Sequence, residues 1–148
     1  MELKQELMGL VLAVSALSFG TVLASGPTPE AKALIKAQMD AAREVTANEL
    51  HELLGEDDVV VLDVRQDSEI PIMGRIVPQE KQVEIPRGYV EIKTFSRIPD
   101  REAKIVAYCG KGIRSAFVVN TLRDMGYANV SHLKGGAKAW KEAGFATH

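Results

Sequence analysis

The sequence predicts an α/β fold with a mainly parallel central sheet flanked by helices, on three observations. Short, largely apolar runs at Val59–Leu62, Lys104–Tyr108 and Val130–Leu133 read as strands buried on both faces. Stretches with helical spacing of apolar residues follow them, so strands and helices alternate, as parallel sheets require. Turn signals at Gly126-Tyr127 and Gly135-Gly136 punctuate the alternation. With 148 residues, the chain is sized for one domain.

In chain order, Leu7 to Ala24 carry no charge and are mostly apolar. Val22-Leu23-Ala24 offers small residues where a signal peptidase reads, and Ser25-Gly26-Pro27 breaks the segment, so residues 1–24 read as a secretory signal. An uncleaved membrane anchor is the rival, since about 20 apolar residues span a bilayer; a core helix comes third. Signal or anchor, the domain is expected outside the cytoplasm, in the periplasm or another oxidising space. The membrane is a partner only if the segment is retained.

Residues 25–44 form a helical extension, and residues 45–148 the domain proper. Thr28-Pro29-Glu30 supplies a capping hydroxyl, a proline at the first helical position and an acid in the first turn. Leu34, Ile35, Met39 and Ala42 then recur at helical spacing, predicting a helix over Glu30–Arg43 that packs on the domain or acts as a spacer. Thr46 and Glu49 make a capping box before Leu50, Leu53 and Leu54, and Gly55 ends that helix. The strand at Val59–Leu62 stops at Asp63-Val64-Arg65, the carboxyl end where open α/β sheets hold their ligands. Pro71, Pro78, Pro86 and Pro99 punctuate the next stretch, in which only Val83–Ile85 and Tyr89–Phe95 look orderable. Strand Lys104–Tyr108, helix Arg114–Met125, strand Val130–Leu133 and helix Ala137–Ala143, with Trp140 in the core, complete the reading.

A net charge of −2 and no basic block give no reason to expect nucleic acid. The three histidines, His51, His132 and His148, match no metal-ligand spacing, and no cofactor is expected. One cysteine excludes an internal disulfide.

That cysteine ends a strand and opens a loop, Cys109-Gly110-Lys111-Gly112-Ile113-Arg114-Ser115, that runs into a helix. Backbone N–H groups and a helix N-terminus gathered there make an anion site and favour a thiolate, so Cys109 is the candidate nucleophile. Gly110 and Gly112 are expected to take positive φ and approach closely. Arg114 can fork onto an anion, and Lys111 can supply a charge at the rim. Ordinary readings stand beside these. Lys111 can be a solvated loop cation, Arg114 a partner for an acid, and Ser115 a helix cap. Asp63 and Arg65, at a strand end, fit a structural role, tying the neighbouring loops together by hydrogen bonds and ion pairing, better than direct substrate contact.

Taken together, Val61-Leu62-Asp63-Val64-Arg65, Ile85-Pro86-Arg87-Gly88, the Cys109–Ser115 loop, and Leu133-Lys134-Gly135-Gly136 followed by Trp140 resemble a rhodanese domain, over about Val45 to Phe145. The resemblance implies a single-domain sulfurtransferase that moves sulfur from thiosulfate or a persulfide to a thiophilic acceptor through a Cys109 persulfide. It implies that the amides of Gly110 to Ser115 line the pocket and that Lys111 and Arg114 meet a small anionic donor. The acceptor would be cyanide, sulfite, a small thiol or a protein thiol. One departure stands out: the family's Gly-His-Ile-Pro-Gly-Ala run is here Gly74-Arg75-Ile76-Val77-Pro78, and no role passes to Arg75. Three rivals remain open. They are a cysteine phosphatase or arsenate reductase, whose loop has five residues between cysteine and arginine where this one has four; a carrier or sensor without multiple turnover; and a silent interaction module.

Overall fold

The computed structural model describes residues 26–55 and 58–148. Within them lies a five-stranded sheet in the order β1-β5-β4-β2-β3. The strands are β1 (Glu44–Val45), β2 (Val59–Asp63), β3 (Gln82–Glu84), β4 (Lys104–Tyr108) and β5 (Val130–Leu133). Every pairing is parallel. The helices are α1 (Pro29–Ala41), α2 (Ala47–Leu53), α3 (Ile70–Met73), α4 (Val90–Arg97), α5 (Ile113–Asp124) and α6 (Gly136–Glu142).

Side chains alternate across a strand, so β4 feeds two cores. Ile105 and Ala107 point to a cluster containing Val90 of α4 and Ala116, Val119 and Leu122 of α5. Val106 and Tyr108 point to the opposite cluster, with Leu50 of α2 and Ala137 and Trp140 of α6. Cys109 continues the first parity and so sits on the α5 side.

The predicted α2 capping box is present: Glu49 N donates to Thr46 Oγ1 and Thr46 N to Glu49 Oε2. Thr28 caps α1, accepting from Ala31 N at 3.3 Å. That helix has no fully buried residue and packs on α5. Asn120 donates to Gln38, and Arg123 Nη1 donates to the Ala41 carbonyl at 3.0 Å. The proline-rich stretch is more ordered than its sequence suggests. Besides β3 and α4 it holds a 3-10 turn at Asp67–Glu69 running into α3, and this turn supplies a pocket residue. The expected signal or anchor, residues 1–24, lies outside the described residues. Among those described, no helix is long and apolar enough to cross a membrane.

His132 on β5 is fully buried, paired in register with Glu44 and Ala107. Burial holds its imidazole below the ordinary value of 6.5, against a weaker upward pull from Glu44. The unfolded chain therefore takes the proton first as pH falls. Stability contributed by the neutral ring is complete above about pH 6.5 and is lost as pH drops toward the folded value. Between pH 7 and pH 5 the melting temperature is expected to fall further for the wild type than for His132→Leu. Parallel curves for the two proteins would remove His132 from the acid response.

Candidate active site

The Cys109 loop owes its shape to both flanking helices. At its C-terminal end Gly112, the N-cap of α5, has φ +91°, and a Cβ there would sit 3.0 Å from Gly135 N. Only glycine combines that conformation with that approach at low cost. Gly110 does not follow the expectation: it has no positive φ, and a Cβ there would make ordinary contacts with Met73 Sδ and Arg114 Nη2, both at 3.7 Å. Its smallness leaves room in the pocket and answers no backbone need.

The first turn of α6 grips the loop from the other side. Ala137 N donates to the Cys109 carbonyl at 2.8 Å and Lys138 N to the Gly110 carbonyl at 3.0 Å. Helix-start N–H groups need such partners. With these carbonyls turned to α6, the trans peptides turn the N–H groups of Gly110 and Lys111 away from it. Gly112 N donates to Cys109 Sγ at 3.1 Å. Ser115 Oγ lies 3.6 Å from the same sulfur and 3.1 Å from the Gly112 carbonyl, and its one hydrogen can serve either. The sulfur thus meets a backbone donor at the α5 N-terminus, where the helix dipole is positive.

Asp63 and Arg65 form a buried pair behind this site. Arg65 Nη2 is 2.6 Å from Asp63 Oδ2, and Nε is 2.9 Å from Oδ1. Tyr108 completes the group by donating to Asp63 Oδ2 at 2.6 Å, while Arg65 Nη2 donates to the phenol oxygen at 3.0 Å. Burial first, then the Asp63 charge, push the Tyr108 hydroxyl above its ordinary value, so it stays a donor. Neither Asp63 nor Arg65 lines the pocket that holds Cys109. Of the two sequence readings, their geometry is that of the structural one, joining the ends of β2 and β4.

That pocket has a volume of about 380 Å³ and is lined by Glu69, Met73, Cys109, Gly110, Lys111, Ile113, Arg114 and Lys138. Cys109 is only 1 % exposed, so its sulfur is reached through this opening. Lys111 is exposed at the loop, and Ile113 is 39 % exposed beside it. Lys138 is paired with Glu142 at 3.1 Å.

Arg114 departs most from the expected anion fork, because an acid already occupies it. Its Nη1 and Nη2 each lie 2.6 Å from one oxygen of Glu69. Hydrogen bonds from Arg114, chiefly, hold the Glu69 carboxyl down at about 2. The pair reciprocally raises Arg114, and Cys109 adds a smaller attraction. Glu69 is a residue that sequence reading missed. Arg75, by contrast, is turned to Glu84 (2.6 Å) and takes no part in the lining. Among the described residues no cluster of histidine, cysteine and carboxylate groups could hold a metal.

Residues 46–143 match the Rhodanese-like domain family. The chain belongs to that family. Two solved structures share the rhodanese fold along most of their length. The polysulfide-sulfur transferase homodimer of Wolinella succinogenes is 27% identical, with TM-score 0.69 over 79% of this chain and 85% of that one. A protein of unknown function from Rhodopseudomonas palustris, described as a possible tyrosine phosphatase, is 30% identical, with TM-score 0.68 over 79% and 92%. Among curated proteins, the tRNA uridine(34) hydroxylase of Prochlorococcus marinus (strain MIT 9303) is 35% identical over 96 residues, covering 62% of this chain and 31% of that protein. This rhodanese domain therefore spans about a third of the length of the hydroxylases it matches.

Proposed function

We propose that the protein is a sulfurtransferase that carries a sulfane sulfur on Cys109 between a thiosulfate or persulfide donor and a thiophilic acceptor. The observation that carries this reading is the Gly112 N–H, 3.1 Å from Cys109 Sγ, at the start of α5 and inside an open pocket. Family membership supports sulfurtransferase chemistry in general, and the likeness to a polysulfide-sulfur transferase supports a sulfane donor.

The thiolate attacks the outer sulfur of thiosulfate, the S–S bond breaks, and sulfite leaves with its electron pair. Cys109 keeps a persulfide whose terminal sulfur carries one negative charge. With a persulfide R–S–SH the leaving group is the thiolate RS⁻. Cyanide or a thiol then takes the terminal sulfur and returns the Cys109 thiolate, a two-step covalent cycle with ping-pong kinetics. N–H donors fixed around the loop stabilise the terminal sulfur; removing one such donor from an anion hole typically costs about 10²–10³-fold in rate.

Intact-mass measurement after incubation with thiosulfate is expected to show the protein heavier by one sulfur atom. Subsequent cyanide should discharge it and release thiocyanate. Steady release identifies a catalyst, whereas one stoichiometric burst identifies a carrier. A protein that gains no sulfur from either donor class is neither.

The Rhodopseudomonas neighbour raises phosphate ester hydrolysis as a second reading. Two features oppose it. Four residues between Cys109 and Arg114 make a narrow ring, and the Glu69 carboxylate sits on the arginine that a phosphate would need. Turnover of an aryl phosphate that disappears in Cys109→Ser would reverse the order.

A further inference from the structure

Glu69 has no part in the chemistry just described, yet it is the acid that lines the Cys109 pocket. It is fixed from two sides. Arg114 closes a fork on both carboxylate oxygens at 2.6 Å. From the chain before it, Gln66 N donates to Oε2 at 3.0 Å, and Glu69 N donates back to the Gln66 carbonyl at 2.9 Å. The carboxylate is thus tied down by its own turn as well as by the arginine, and it stays ionised through the neutral pH range.

The consequence is electrostatic. An arginine beside a nucleophilic sulfur would attract a dianion, but here its charge and its planar fork are already taken. At Arg114 a dianionic donor must either open this pair or approach with a carboxylate beside it; of the other cations in the lining, Lys138 is paired with Glu142 and Lys111 stands exposed at the rim. A donor carrying at most one charge meets a weaker obstacle, and Met73 and Ile113 give it apolar wall. We propose that Glu69 is a specificity-determining residue that, by closing the Arg114 fork, makes the pocket select organic hydropersulfides over thiosulfate as sulfur donor. This rests on the sulfurtransferase reading above. The favoured loading step is Cys109–S⁻ plus R–S–SH giving Cys109–S–SH plus RS⁻. One S–S bond forms as another breaks, and the charge is one minus on each side.

The test compares two donors, thiosulfate and 2-hydroxyethyl hydropersulfide, with cyanide as common acceptor. Glu69→Gln keeps the shape of the side chain and removes its charge. The ratio of kcat/KM for thiosulfate to that for the hydropersulfide is expected to rise about tenfold or more, given the pull of an unpaired guanidinium at contact range. Arg114→Gln leaves the carboxylate unpaired, so thiosulfate should lose at least about tenfold while the hydropersulfide moves much less. In the Arg114→Gln background, Glu69→Gln should recover most of that thiosulfate loss, as coupled residues in a double-mutant cycle do. If Glu69→Gln folds poorly alone, the double variant measured against Arg114→Gln carries the test, because thiosulfate recovers there only if the Glu69 carboxylate was the obstacle. A thiosulfate-to-hydropersulfide ratio that does not rise when Glu69 is replaced, either alone or in the Arg114→Gln background, overturns the assignment to Glu69, with sulfur loading intact. Failure of the wild type to load from both donors overturns the sulfurtransferase reading and this assignment together.

Discussion

Cys109→Ala is expected to abolish sulfur loading from every donor and to lower thiosulfate:cyanide turnover by on the order of 10³-fold or more. The expectation is absolute for loading because the chain has one cysteine. The pocket's other sulfur, the Met73 thioether, has no ionisable proton and forms no persulfide. Folding is expected to survive, since the thiol is a small buried group whose loss costs roughly 1 kcal/mol. Circular dichroism and the urea midpoint check this, so that lost turnover reports chemistry. Cys109→Ser makes the sharper comparison. Serine keeps an acceptor near the Gly112 N–H but cannot hold a sulfane sulfur, and it too should stay at its starting mass. A one-sulfur gain that survives in either variant would move the chemistry away from the loop and sink the proposed mechanism.

What could be read from the chain follows the range of the forces involved. β4, the loop and α5 are contiguous, and their signals are local: an apolar run, one cysteine, glycine at the cap, helical spacing. The parallel sheet follows from the same local alternation. Asp63 and Arg65 stand at a strand end, which marks a structural role, but that they bind each other is shown only by the fold. Their third partner, Tyr108, is 45 positions from Asp63 and looks like any core aromatic. Glu69 illustrates the limit better. It lies 45 residues before Arg114, in a 3-10 turn that precedes a four-residue helix. An element that short has no hydrophobic period to detect, and Pro71 reads as a breaker when it in fact occupies the start of α3. Gly110 failed in the opposite sense: a glycine in an active loop suggests positive φ, but only its backbone environment decides whether φ is used.

Gly136→Ala is expected to be the most damaging single methyl group in the fold. The residue has φ +62°, and a Cβ there would sit 2.3 Å from the Cys109 carbonyl oxygen and 2.8 Å from both Gly110 C and Gly112 N. All three obstacles are backbone, so no side chain can swing aside. The left-handed conformation alone costs about 1–3 kcal/mol for a residue with a Cβ, and forced overpacking adds about 1–3 kcal/mol more. A loss of about 4 kcal/mol is a large fraction of the 5–15 kcal/mol that holds a domain folded. Relief requires α6 to back away, which pulls Ala137 N and Lys138 N off the carbonyls that orient the Cys109 loop. Sulfur loading should therefore slow in whatever fraction remains folded. Gly144→Ala supplies the control, because Gly144 has φ +83° but a Cβ there meets nothing within 4 Å. It should show the backbone cost alone, about 1–3 kcal/mol, with loading unchanged. Urea unfolding of both variants at constant m-value separates the two costs. Equal midpoints would mean that the close approach of α6 to the loop exerts no steric constraint, and the packing account of the active loop would have to be abandoned.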